Sequence, residues 1–182
     1  MSSGTSPHLM LTDLILRMVE VLRYDNTYAF SLLKAVTTRK SAVIMLDGCR
    51  LRLRGTEKKD GRFEITVTRA GLQANPNFIT DSYTLKRIMG GTITIDHAVV
   101  KSLLFVKAPF EDLMNIYRLT TVLLAEGPLN KHLRRLWQEF DETWEEGQHQ
   151  VLGPLPLEQQ KQASDYLLHA IPEQVLLTRI KV

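Results

Sequence analysis

From Leu9 onward, apolar residues recur every three or four positions: Leu11, Leu14, Ile15, Met18, Val19 and Leu22, with Asp13, Arg17, Glu20 and Arg23 between them. That spacing predicts an amphipathic helix. Residues 1–8 read as a flexible polar N-terminus, and Ser6 or Thr12 could cap the helix. YDN at 24–26 interrupts the pattern, and a second helix is predicted over 27–36, burying Phe30, Leu33 and Tyr28.

After Lys40 the period changes to two. SAVIML leads into Asp47-Gly48, the dipeptide of a type I′ hairpin turn, and CRLRLR follows. A loop, GTEKKDG, then separates it from RFEITVTRAG. The pattern predicts a three-stranded antiparallel meander with the arginine strand in the middle. Pairing Arg54 with Arg62 puts Arg52 opposite Glu64 and Arg50 opposite Thr66. Leu53, Leu51 and Cys49 then meet Phe63, Ile65 and Val67 on one apolar face.

Residues 71–82 read as a loop around Pro76, and 83–89 are ambiguous between strand and helix. TITID at 92–96 suggests a strand, with Asp96 as a cap, and 97–107 suggests a helix giving way to a strand. Pro109, followed by Glu111 and Asp112, marks the start of another helix. It should run to about Ala125 and bury Phe110, Leu113, Ile116, Tyr117, Val122 and Leu124. Further helices are expected over 129–146 and 157–170, with 172–181 undecided between helix and strand. The order is helical at 9–38, sheet-rich at 41–107 and helical at 109–182. This is a single α+β domain over 9–182, an antiparallel β-meander flanked by N-terminal and C-terminal α-helices.

Composition narrows the class. The chain has 182 residues, 44% hydrophobic, and a net charge of +3. Residues 1–60 are net positive and 127–182 net negative, which could steer a partner or hold the two regions together. The single cysteine, Cys49, cannot close an internal disulfide, which suits a reducing compartment. No apolar run is long enough for a bilayer span, and neither a leader pattern nor a lipidation signal is legible. The expected setting is intracellular, cytoplasmic or nuclear.

Three features carry candidate chemistry. The first is the arginine face of the hairpin: Arg50, Arg52, Arg54 and Arg62, with Lys58 and Lys59 at the tip. It could neutralise phosphates or be the wet face of a half-solvated sheet. Glu57, Asp60 and a predicted Arg52–Glu64 pair dilute its charge, and it has no aromatic for base stacking.

The second is the stripe Leu129, Leu133, Leu136, Trp137, Phe140 and Trp144 on one helix face, serving either a core or a partner interface. The third is the polar side of that helix. Lys131, Arg134 and Arg135 lie near its N-terminus, while Asp141, Glu142, Glu145 and Glu146 lie near its C-terminus, which opposes the helix dipole. Basic groups outside the helix should therefore meet the acidic end, the hairpin arginines being the nearest in charge.

A helix-turn-helix reading of TTVLLAEGPLNKHLRRLW fails on EFDETWEE, whose carboxylates repel phosphate. His8, His97, His132, His149 and His169 have no metal-ligand spacing. Asp96 and His97 would point to opposite faces of a strand. No nucleophile or phosphate-loop motif occurs.

The reading that follows is a non-catalytic interaction or assembly protein, with no cofactor or metal, that self-associates as a homo-oligomer through apolar helix faces or binds another protein. The alternative is a basic protein of the small viral matrix or accessory type, gripping nucleic acid or an anionic membrane surface through the 50–62 hairpin. An enzyme with a dispersed site is the third reading.

Overall fold

Six helices and five strands are built from the 139 residues 6–144 that the computed structural model describes. The chain divides into two units, 1–152 and 153–182, and every described residue lies in the first. The predictions for residues 1–5, Glu145, Glu146, the helix at 157–170 and the element at 172–181 lie outside the described residues.

Helix α1 spans Pro7–Asp25 and begins two residues before the predicted start, with Ser6 at its N-cap position. Its stripe Leu11, Ile15, Val19 and Leu22 is buried. Asn26 ends α1 and caps α2 (Thr27–Thr37), its side chain accepting from the Ala29 N–H. α2 buries Ala29, Leu32 and Leu33, whereas Phe30 is half-buried and Tyr28 exposed, so its inward face is rotated from the predicted one.

Strands β1 (Ser41–Leu46), β2 (Cys49–Glu57) and β3 (Phe63–Arg69) form the predicted meander. Asp47 and Gly48 both take positive φ, as a type I′ turn requires. The register of β2 on β3 differs from the prediction. Arg54 lies opposite Thr66, Arg52 opposite Thr68 and Glu57 opposite Phe63. The strand runs on through Gly55-Thr56-Glu57 to a tight turn at 58–62, where Gly61 holds φ +78° and Arg62 has left the strand. The slip is an even number of residues, so the two faces survive it. Gly55 is required here: a Cβ would come within 2.6 Å of the Phe63 ring.

The segment read as a loop hides β4 (Phe78–Thr80), which pairs in parallel with β1. Helix α3 (Ser82–Met89) follows, capped by Asp81. The expected strand at 92–96 does not form. Thr94 caps a short helix, α4 (Ile95–Val100), with Asp96 in its first turn. β5 (Leu104–Val106) pairs antiparallel with β4, completing the predicted helix-to-strand switch. The sheet order is β3-β2-β1-β4-β5, mostly antiparallel with one parallel contact.

Helix α5 (Phe110–Glu126) starts after Pro109 at the N-cap. It buries only Asp112, which accepts from Lys40 at 2.7 and 2.8 Å; Phe110 and Tyr117, expected inside, are about half exposed. Helix α6 (Lys131–Thr143) is shorter than predicted and is capped by Asn130.

One face of the sheet, carrying Leu46, Cys49, Leu51, Leu53, Phe63 and Ile65, packs with α1, α2 and the Phe140–Trp144 end of α6 into a single core. Burial of such side chains is the main stabilising term, roughly 1.5–3 kcal/mol each. Trp144 Nε1 donates to the buried Asp47 carboxylate, which also accepts from the Ser82 N–H, tying the first hairpin to α3 and α6.

Candidate functional site

The hairpin β2–β3 forms one margin of the sheet, and its hydrogen-bond phase decides what that margin offers. In an antiparallel pair, hydrogen-bonded and non-hydrogen-bonded residue pairs alternate. Lys58 N–H donates to the Arg62 carbonyl at one end, and Ala70 N–H donates to the Arg50 carbonyl at the other. With the register between them, 64, 66 and 68 bond inward to β2. Phe63, Ile65, Val67 and Arg69 therefore aim their N–H and C=O groups away from β2. Arg23 Nη2 donates to the Phe63 carbonyl at 3.0 Å. Among the described residues no strand pairs with the remainder, so the outward groups of Ile65, Val67 and Arg69 have no ladder partner; Ile65 is itself buried beside α1, Val67 is half-buried and Arg69 is exposed.

Beside this edge lies a cleft of about 1060 Å³ between α1, α2 and the hairpin tip. Leu16, Val19, Phe30, Phe63 and Ile65 give it an apolar lining. Phe30 meets Phe63 edge-on at 5.9 Å, and Lys34 sits 5.4 Å from the Phe63 ring centroid. The rim carries Arg23, Lys34, Lys58 and Arg62, but each has a carboxylate: Glu20, Glu57, Glu64 and Asp60 respectively. Lys58 holds the Glu64 carboxyl below its ordinary range, and Arg62 does the same to Asp60. The cleft mouth is thus charge-balanced.

The predicted anion-binding residues fall into three groups. Arg50 donates to the carbonyls of Leu72 and Ala74, so it fastens the β3–β4 crossover onto the sheet. Arg52 and Arg54 stand exposed on the open face, among Ser41, Thr66 and Thr68, with no carboxylate partner among the described residues. Lys58 and Arg62 are paired at the tip, and Lys59 is exposed beside them. Val43 and Met45, on the arginine side of the sheet, are buried, so that face is wet only over part of its area.

The predicted interface residues separate likewise. Phe140 and Trp144 are core, each 3% exposed, and Trp137 is half-buried. Glu142 is exposed and has no ion pair among the described residues. Of the acidic end, Asp141 meets a base outside its helix and Glu142 does not, and that base is not a hairpin arginine. Arg17 of α1 donates to Glu139 through Nη1 and Nη2, at 3.0 and 2.6 Å, and holds its carboxyl below the ordinary range. Lys86 of α3 donates to the Asp141 and Trp144 carbonyls, each at 3.0 Å, and pairs with the Asp141 carboxylate. A cation on the last carbonyls is what the helix dipole favours.

Sequence reading missed the open edge. RFEITVT announces a strand with one apolar face, but nothing local says whether a strand is interior or marginal. Cys49 is buried, and desolvation pushes its thiol up to about 11. Among the described residues no group of His, Cys, Asp and Glu could hold a metal ion, and no helix is long and apolar enough to cross a membrane. Comparison with known proteins returns no family model, no curated protein and no solved structure that matches the chain.

Proposed function

We propose that the protein is a non-catalytic interaction and assembly protein that takes an extended polypeptide strand onto the edge of β3. The observation that carries this reading is the open ladder of Ile65, Val67 and Arg69 beside an apolar cleft. In strand addition, main-chain bonds give affinity and pockets for alternate side chains give selectivity. The contact surface moves from the apolar helix faces, whose α6 stripe is largely spent on the core, to the sheet margin.

The test is a selection of phage-displayed twelve-residue peptides on the full chain at low concentration. Alternating β-branched sequences should be enriched, and their affinity should fall at least tenfold on Val67→Pro. Proline removes an outward N–H that β2 does not use, so the sheet itself should tolerate it. Failure to recover binders, or binders indifferent to Val67→Pro, would overturn the reading.

A second reading rests on Arg52 and Arg54, which have no carboxylate partner among the described residues. It gives the open face a polyanion such as RNA. Binding that falls steeply between two salt concentrations and is lost in Arg52→Glu with Arg54→Glu would favour it.

A further inference from the structure

We propose that the strand received by β3 is β3 of a second copy of this chain, joined antiparallel about a two-fold axis at Thr66. The inference rests on the strand-addition reading and names its partner.

The hydrogen-bond phase restricts the geometry first. Only the odd-numbered residues of β3 aim their main-chain groups outward, so odd must meet odd across the axis. Two central registers satisfy this, one with the axis at Thr66 and one with it at Val67. A two-fold contact uses the same patch twice, so it must be self-complementary.

Charge separates the two registers. With the axis at Thr66, Ile65 faces the partner's Val67 and Thr66 faces the partner's Thr66, both favourable cross-strand pairs. Glu64 of the partner subunit then stands opposite Thr68. Thr68 is in turn opposite Arg52 in its own hairpin. One row across the joined sheet therefore runs Arg52, Thr68, the partner's Glu64, and all three project from the same face. The backbones of Arg52 and the partner's Glu64 are two strand spacings apart, about 10 Å, a gap that an extended arginine and a glutamate close over a threonine. Arg52, which has no carboxylate partner among the described residues, gains one that it shares with the partner's Lys58.

With the axis at Val67, the corresponding row would join Arg52 to the partner's Arg54 across two threonines, also three spacings apart, and Arg52 would gain no carboxylate. In the favoured register, Arg54 and the partner's Arg54 lie three spacings apart, about 14 Å. That exceeds the screening length of about 8 Å at physiological salt.

The composition of the strand suits this contact, although α1 stands beside Ile65. β3 is seven residues long, contains no proline, and carries one acidic and one basic residue. Ile65 and Val67 alone supply four main-chain hydrogen bonds across the axis. Arg23 occupies the Phe63 carbonyl and limits the new ladder to the middle of the strand.

The test uses the full-length chain in analytical ultracentrifugation, with circular dichroism to verify folding. The parent should dimerise reversibly. Thr66→Glu and Thr66→Lys change an exposed side chain, and each should weaken the dimer at least tenfold, because like charges meet at the axis. An equimolar mixture of the two should recover a heterodimer. Arg52→Glu and Glu64→Arg should each weaken the dimer, and the two combined in one chain should restore it. A parent that stays monomeric, or a dimer insensitive to both Thr66 variants, overturns this proposal. If peptides still bind β3 in a Val67-dependent way, the strand-addition reading survives that result; if they do not, both readings fall together.

Discussion

The sheet has two margins, and they are finished differently. β5 is three residues long, its neighbour α4 closes the preceding turn, and Lys107 and Pro109 follow it. Its outward groups come from Leu104 and Val106 alone, because Lys107 N–H is already bonded to the Asn77 carbonyl. β3 is seven residues long, rich in β-branched residues, and guarded only where Arg23 takes the Phe63 carbonyl. Proteins ordinarily blunt their edge strands with short length, charge or proline. The β5 margin follows that rule. The β3 margin, longer and without proline but charged at Glu64 and Arg69, follows it less fully, and it stands beside the cleft. That difference is the ground on which strand addition is proposed at β3 and not at β5.

The largest expected effect strikes both margins at once. Leu51 is fully buried at the centre of the meander, and Leu51→Ala should cost about 2–5 kcal/mol. Urea unfolding would read it as a lower midpoint at unchanged slope. The comparison itself is broken by a matched pair of prolines. Val67→Pro should reduce association at least tenfold, while Val106→Pro should leave it unchanged. Equal effects in sedimentation would mean that the two edges do not differ in use.

Amide exchange should sharpen the comparison to single residues. In monomeric protein the N–H groups of Ile65 and Val67 should exchange faster than those of Glu64, Thr66 and Thr68, which bond to β2. Association should slow the first group and leave the second unaltered, as measured by NMR at two concentrations.

The smallest effect concerns Cys49, on β2, one strand in from the β3 margin. Its thiol ionises near 11 rather than at the ordinary 9.0. Because the folded pKa is raised, its contribution to stability is fully present below pH 9.0 and fades as pH rises towards 11. At pH 8 a thiol reagent should label it slowly in folded protein and quickly in denaturant. Fast labelling of the folded chain would show the meander opening near its margin.

Part of the site was readable in advance and part was not. The alternation CRLRLR correctly put Arg52 and Arg54 on one face and Leu51 and Leu53 on the other. The Asp47-Gly48 turn, the helix start at Pro109 and the switch within 97–107 were equally local. The register of β3 was not, because a slip by an even number of residues preserves every facing. The stripe at Phe140 and Trp144 has the same spacing whether it meets a core or a partner, and only the position of α1 and the sheet decides between them. Arg17 and Lys86 lie more than fifty residues from the groups they satisfy on α6, beyond the reach of any short pattern.

What the sequence by itself determined is the set of elements with their two-faced polarity, since periods of two and of about 3.6 are properties of neighbouring residues. What tertiary structure alone decided is which strand became an edge. A strand is marginal only by virtue of what fails to pair with it, and pairing joins residues far apart in the chain. The four residues F-E-I-T would read identically in the middle of a sheet; their outward amides are open because β4 joined β1, not β3.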